Sequence, residues 1–377
     1  MGKDYSSTMD YPLGQRLREL PGPLLLTGHT GFKGIWMTFL LEHLNVPVVG
    51  YSLPAEKDSL YDRADRTGAI PEEFSDIRSY DDLERFIDLH KPTTIVHMAA
   101  QPLVLKSYEN PRETFDVNVM GTANILDIAF KKDFVKAIIV VTTDKVYRND
   151  DSGRAFIESD PLEGKDPYSA SKVGTEAVVE AWQQIARASG GPTVVSVRAG
   201  NVIGGGDWAD DRLFPDVIRA RFKNNPVSIR RPRNTRPWQH VLDPLRGYIL
   251  ALEKSFAGGV HPHYNFGPIG ESISVAKVVE IAQKYFSLQI EVADDGKLGN
   301  KLESTYLSLN SNLAKSNLDW IPVWSQNTAI ARSFQWWSRV INEGLGPSQA
   351  VQEEIMQYLA DLGSTFQEIS KKKLTDS

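Results

Sequence analysis

The chain has 377 residues, 41% of them hydrophobic, and its 42 Lys+Arg against 48 Asp+Glu give a formal charge of −6. The length suits roughly two lobes of ~100–200 residues each, and the mild acidity gives no electrostatic pull toward nucleic acid or an anionic membrane. With no cysteine and no His-Glu-x-x-His spacing among seven histidines, disulfides, thiolate sites and a cysteine nucleophile are excluded, and neither a metal ligand nor metal catalysis is expected.

Met1 to Leu20 carries charges and prolines but no apolar run fit for a signal peptide. Nowhere do about 18 apolar residues follow one another to span a bilayer, so a cytoplasmic location is expected. From Leu24 onward short apolar runs alternate with helical patterns, the rhythm of a parallel sheet with crossover helices. The strands read are Leu24–Thr27, Val46–Tyr51, Thr94–Met98, Ala137–Thr142 and Thr193–Arg198, with a short apolar-to-polar run before Asp76; Phe115–Phe130 and Tyr168–Ser189 read as helices. The predicted fold is therefore α/β: a Rossmann-type doubly wound parallel sheet over residues 1–200, also receiving 241–262. A smaller, loop-rich α/β substrate lobe interleaves over 201–345, where Gly204-Gly205-Gly206, Asn224-Asn225-Pro226 and the basic stretch Ile229–Pro237 break the pattern and Tyr264–Phe266 reads as an isolated strand. Residues 346–377 form a last unit. In it Gln349–Gln367 is an amphipathic helix whose Val351, Ile355, Leu359 and Leu362 pack on the body, and Lys371–Lys373 opens a solvated tail.

Directly after the first strand stands Thr27-Gly28-His29-Thr30-Gly31-Phe32-Lys33-Gly34, leading into the helical pattern Ile35–Leu44. Gly28 permits a tight turn, Gly31 lets backbone N–H groups approach a pyrophosphate, and Gly34 lets helix and strand pack closely, so a dinucleotide is expected at the helix N-terminus. Thr30 and Phe32 lie within the same loop. At the end of the second strand, where an acid would hold the adenosine ribose, the chain has Gly50-Tyr51-Ser52-Leu53. Ser52 offers a hydroxyl and no Arg follows directly to meet a 2′-phosphate, which favours NAD over NADP. Asp76-Ile77 and Ala99-Ala100-Gln101 fall at later strand ends and complete the cofactor-binding set, with ordinary strand-end packing as their alternative.

Tyr168 and Lys172 form a Tyr-x-x-x-Lys pair at a helix start, on one face of the helix, with Thr142-Thr143-Asp144-Lys145 ending the fifth strand. An adjacent ammonium and a positively charged nicotinamide ring would stabilise a phenolate and make Tyr168 a base.

Taken together, T-G-H-T-G-F-K-G at Thr27–Gly34, H-M-A-A-Q-P-L-V at His97–Val104, N-V-M-G-T at Asn118–Thr122, T-D-K-V-Y at Thr143–Tyr147, D-P-Y-S-A-S-K at Asp166–Lys172, R-A-G-N-V-I-G-G-G-D-W at Arg198–Trp208 and R-P-W-Q-H-V-L at Arg236–Leu242 resemble the extended short-chain dehydrogenase/reductase family. Within it the chain is most similar to the 4,6-dehydratases of CDP-linked glucose. The resemblance implies an enzyme with bound NAD and a CDP-sugar substrate, serving deoxysugar supply for bacterial surface polysaccharide. Tyr168, helped by Thr143 and Lys172, would take the sugar 4-hydroxyl proton while the C4 hydride moves to NAD; water is then lost across C5 and C6, and the hydride returns at C6. Asp144 is the candidate acid for the departing 6-hydroxyl. Lys145, expected to be partly buried, is either the C5 base or the cation that stabilises the enolate. Asn201, Arg212, Arg236 and His240 are the implied substrate-binding residues, guanidinium forks suiting phosphate oxygens; Arg230, Arg231 and Arg233 read equally as a solvated loop. Trp208 and Trp238 either wall the site or pack. The segment Arg148–Leu162 lacks the family's aromatic-rich W-x-W-G-Y-R-E pattern. The alternative on the same scaffold is a nucleotide-sugar 4-epimerase, for which Asp144 and Lys145 would be superfluous, and a non-catalytic nucleotide-binding protein is the rival of another class. A homodimer through the helices Asn118–Phe130 and Tyr168–Ser189, or a tetramer built from such dimers, is implied by the family.

Overall fold

The structure is a computed structural model that describes residues 13–150, 152–229, 231–292 and 307–375. Arg230 and the side chains of Lys371–Lys373 lie outside the described residues.

Seven parallel strands form the central sheet. In the first two hundred residues these are β1 (Leu24–Thr27), β2 (Val48–Ser52), β3 (Glu72–Phe74), β4 (Thr94–His97), β5 (Ala137–Val141) and β6 (Thr193–Ala199). Beyond β6 the chain makes β7 (Asn201–Ile203), β8 (Val227–Ile229), β9 (Thr235–Arg236), β10 (Trp238–His240), β11 (His263–Phe266), β12 (Ile273–Ser274) and β13 (Ile290–Val292). The sheet order is β3-β2-β1-β4-β5-β6-β11, the doubly wound arrangement with one strand added, and β7/β10, β8/β13 and β9/β12 pair separately. Successive residues feed opposite faces: Leu24 and Leu26 join one buried cluster and Leu25 the other, as do Ile139 and Ile138. A sheet covered on both faces explains why the strands read as unbroken apolar runs.

Four expectations need correction. Tyr264–Phe266 is not isolated: it belongs to β11, which lies against β6 with His263 opposite Ser196 and Phe266 opposite Ala199. The second strand starts at Val48 rather than Val46, since Pro47 has no N–H to give to the ladder while its carbonyl accepts from Leu24 N. The helix read as Phe115–Phe130 is composite: Pro111–Phe115, a π turn Asp116–Met120, then Gly121–Phe130. Finally, Lys371–Lys373 does not open a tail, because the last helix runs Pro347–Thr375. Its Val351, Ile355 and Leu362 are buried as the stripe predicted, with Leu359 half-buried.

The carboxyl ends of β1, β4, β5 and β6 lie side by side, and the residues that follow them, Gly28, Ala99, Thr143 and Gly200, meet at one edge of the sheet, where open α/β sheets bind ligands. Among the described residues no helix is long and apolar enough to cross a membrane.

Candidate active site

The glycine loop closes over the end of β1. Gly28 has φ +73°, and a Cβ there would stand 2.8 Å from Ala99 N; a Cβ at Gly34 would stand 2.1 Å from Gly28 O. Both glycines are therefore required by the chain itself. At Gly31 a Cβ would meet only Gly28 O at 3.4 Å, and the residue is exposed, so its open face is free for a ligand at the N-terminus of the helix Phe32–His43. Thr27 and His97 fix this turn. Thr27 Oγ1 accepts from Met98 N and Ala99 N at 3.1 and 3.2 Å and faces His97 Nδ1 at 2.7 Å, and burial lowers the His97 pKa to about 3, keeping the ring neutral. This glycine cradle, floored by small Ala99, fits a dinucleotide.

Other members of the predicted cofactor set are engaged within the chain. The hydroxyls of Thr30 and Ser52 bond each other at 2.8 Å, and Thr30 lies 3.0 Å from Leu53 O. Asp76 is held below the usual carboxylate range by Arg78, whose Nη2 donates at 2.7 Å, while Ile77 packs against Gly121. Ala100 is half-buried. The Gln101 side chain is turned inward, donating from Nε2 to Thr114 Oγ1 and Leu103 O and accepting from Leu103 N, and its backbone N–H and carbonyl are both held by the Asn118 side chain.

Tyr168 stands in the first turn of the helix Pro167–Ser189. The turn is set by sequence: Pro167 opens the helix, and Asp166 and Ser169 form a reciprocal cap, with Ser169 N donating to Asp166 Oδ1 at 2.9 Å and Asp166 N to Ser169 Oγ at 3.0 Å. Burial raises the Tyr168 phenol to about 12, opposed by a hydrogen bond from Thr143 and by the charge of Arg212. Lys172 is lowered to about 8 by burial, and its Nζ donates to Val141 O at 3.1 Å. Within the chain alone burial thus outweighs the groups that would lower the phenol, and Lys172 gives one of its hydrogen bonds to a backbone carbonyl.

Asp144 is buried and raised to about 6, burial outweighing the charges of Lys145 and Arg236. Its Oδ1 accepts from Thr143 Oγ1 at 3.1 Å; its Oδ2 has no hydrogen-bond partner among the described residues. A Cβ at Gly200 would come within 2.7 Å of that Oδ2, so the glycine leaves room for this buried oxygen. Lys145, expected to be partly buried, is exposed, and its N–H donates to Thr143 Oγ1 at 3.3 Å.

Of the expected substrate residues, Arg212 acts on Tyr168 and pairs with Asp207 at 3.2 Å, Arg236 acts on Asp144, and Asn201 sits half-buried opposite Trp238. His240 is different. It is fully buried, edge-on to Trp36 and Trp324 at 5.6 and 4.7 Å, with burial lowering its pKa to about 3. This enclosure places it in the core rather than at a phosphate. Trp208 packs on Trp337 and Phe222, and Trp238 on Phe214, so both tryptophans are packing residues.

Sequence reading missed Lys33. Its Nζ lies 3.3 Å from Tyr248 Oη, and burial with the nearby Lys172 and Arg212 lowers it to about 7. Its place inside the glycine motif was the available signal. His29 was also missed: its ring covers Gly50 of β2, where a Cβ would be 2.6 Å away, and its Nε2 meets Glu72 Oε2 at 2.7 Å.

Comparisons with known proteins agree with this geometry. The chain is 39% identical over 325 residues to a CDP-glucose 4,6-dehydratase of Salmonella typhimurium, covering 83% of this chain and 89% of that one. It is 26% identical over 276 residues to a dTDP-glucose 4,6-dehydratase of Haemophilus influenzae, covering 69% and 78%. Among solved structures, a dTDP-glucose 4,6-dehydratase from Streptomyces venezuelae with NAD bound superposes with a TM-score of 0.71 at 26% identity, covering 86% of this chain and 99% of that one. A UDP-glucose 4-epimerase from Thermotoga maritima shares the fold, with a TM-score of 0.72 at 20% identity over 85% and 99%. The description of one family matches residues 24–267, from the first residue of β1 to just past the end of β11. With its whole central sheet inside that span, the chain belongs to the NAD dependent epimerase/dehydratase family.

Proposed function

We propose that this protein is an NAD-dependent CDP-glucose 4,6-dehydratase, releasing CDP-4-keto-6-deoxyglucose. The observation that carries this reading is the Asp144 carboxyl: buried, raised to about 6, and with one buried oxygen that has no hydrogen-bond partner among the described residues, beside the Thr143–Tyr168 pair. A 4-epimerase needs no such second acid. The 39% identity to a CDP-glucose 4,6-dehydratase supports the substrate.

In this reading Gly28, Thr30, Gly31, Phe32 and Gly34 hold the cofactor diphosphate, Ser52, Asp76 and Ile77 line its adenosine end, and Ala99, Ala100, Gln101, Tyr168 and Lys172 flank its nicotinamide half. Bound NAD supplies a hydride acceptor and donor and a positive charge beside the phenol. Tyr168 takes the proton of the sugar 4-hydroxyl, Thr143 orients that hydroxyl, and Lys172 places a positive charge along the same helix face. Asp144 enters protonated and gives its proton to the departing 6-hydroxyl, a role its raised pKa suits near neutral pH. Lys145 serves the C5 side of the sugar, where the enolate develops. Asn201, Arg212 and Arg236 meet the nucleotide and its diphosphate.

CDP-glucose deuterated at C4 tests the reaction. Label found at C6 of a 4-keto-6-deoxy product, with a solvent proton at C5, supports dehydration; label retained at C4 of an epimer overturns it. We read the division into a dinucleotide lobe and a 201–345 substrate lobe as the functional one, and the reaction as cytoplasmic. Leu105, Tyr108, Phe115, Met120 and Ile185 are exposed on neighbouring helices and are read as the seam of a homodimer. A monomer in sedimentation at micromolar concentration would remove that last point.

A further inference from the structure

One helical turn beyond Lys172, Glu176 lies buried on the same face of the helix. Its Oε1 accepts from Thr142 Oγ1 at 2.5 Å and from Arg198 Nε at 2.9 Å; its Oε2 accepts from Arg198 Nη2 and from Ser196 Oγ, both at 2.8 Å. Arg198, equally buried, donates from Nη1 to Tyr147 Oη at 2.8 Å, and Tyr147 Oη donates to Asn265 Oδ1 at 2.7 Å. Thr142 and Tyr147 are the residues on either side of Thr143–Val146, the segment that carries Asp144 and Lys145. The helix that holds Glu176 also carries Tyr168 and Lys172.

We propose that the Glu176–Arg198 pair is the positioning element of the active site: it ties both ends of the Asp144–Lys145 segment to the helix face that bears Tyr168 and Lys172. The proposal rests on the dehydratase reading, in which one group handles the C4 oxygen and the other the C5–C6 elimination. Two groups acting in turn on one sugar must keep a fixed separation, since displacement by about 1 Å can cost on the order of 10²-fold in rate. Stability alone does not call for this arrangement, because apolar residues of like volume replace a buried ion pair with little or no loss. The pair also sets charge. Lys172 is influenced by Glu176 from its own helix and shares its surroundings with Tyr168, with Lys33 from the helix Phe32–His43 and with His97 from β4; Glu176 is the member that raises it.

Three variants test this in the full chain with NAD. Thr142→Val removes the tie at one end, Tyr147→Phe the tie at the other, and Glu176→Gln keeps the shape and removes the charge. The expected result for the first two is elimination slowed about tenfold relative to oxidation, seen as absorbance at 340 nm that persists during turnover, with KM nearly unchanged. Glu176→Gln is expected to add a downward shift of about one unit in the high-pH limb of kcat/KM, through loss of the carboxylate beside Lys172. If oxidation and elimination fall together, or neither falls, in folded Thr142→Val and Tyr147→Phe proteins, the positioning role is overturned, whether or not Glu176→Gln folds. Failure of the unaltered enzyme to make any 4-keto-6-deoxy sugar overturns the dehydratase reading, and this proposal with it.

Discussion

Lys172 and Glu176 sit one turn apart on the same helix, both buried, yet their surroundings treat them in opposite ways. At Lys172 and at Asp144, burial outweighs the available partners and pushes each group toward its neutral form. At Glu176 and Arg198, partners outweigh burial: Arg198 drives the carboxylate far below its ordinary range, and Glu176 holds the guanidinium firmly charged. Depth in the protein is therefore not what separates a reactive group from a structural one. The number of donors and acceptors turned toward it is, and the groups left short of partners are the ones with a proton to trade.

Substitutions at the two places should separate along that line. Tyr168→Phe removes the hydroxyl at the under-partnered end, and turnover should fall about 10²–10⁴-fold with the melting temperature unchanged; a loss below tenfold would break the contrast. Glu176→Ala strands Arg198 as an unpaired buried charge. It should cost about 3–5 kcal/mol in urea unfolding, and a cost under about 1 kcal/mol would mean the pair is not saturated as described.

Asp144→Asn should act in both currencies. Turnover falls because the acid is gone, by about 10²-fold or more, while stability at pH 7.5 rises. The sign follows from the titration: the carboxyl ionises near 3.9 in the unfolded chain and at about 6 in the folded one. Stability from this group is full below about pH 4 and is lost as pH rises through about 6. A shift of that size corresponds to about 2–3 kcal/mol. Asp243, likewise raised to about 6 by burial, titrates in the same window, so the difference between variant and parent chain across pH 4–7.5, followed by thermal melting, isolates Asp144. Arg212→Met is the mildest test of activity. It leaves the buried Asp207 carboxylate without its charged partner and should lower stability, whereas KM for the CDP-sugar should rise about tenfold if the guanidinium meets phosphate; an unchanged KM would move the diphosphate elsewhere.

Much of this was legible in the chain. Apolar runs placed five strands because a sheet covered on both faces needs them, and the glycine loop announced its turn because Gly28 and Gly34 admit no Cβ. The edge strand Glu72–Phe74 carries two glutamates and was legible only as a short apolar-to-polar run before Asp76, and β11 was set apart because its partner, β6, lies some seventy residues earlier. The reacting residues were found by spacing along the chain, Tyr168 with Lys172 and Thr143 with Asp144. What spacing did not carry was exposure and partnership: that Lys145 is exposed, that His240 is walled in by Trp36 and Trp324, and that Lys172 donates a hydrogen bond to Val141 O. These depend on which distant elements pack on which face, as does the Glu176–Arg198 link across more than twenty residues.

The place of β11 bears on how the protein is made. A nascent chain that has left the ribosome as far as residue 200 has its phosphate-binding loop and its Tyr-Lys pair, but β6 still lacks its neighbour, and the helix behind the glycine loop still lacks the last helix, which packs on it and is tied by Ser348 to Ala64 O at 3.0 Å. Translation must run through most of the message before the sheet edge and that surface are covered. A stop codon near residue 200 should therefore yield an aggregating product that fails to retain the dinucleotide, despite carrying every residue of the glycine motif.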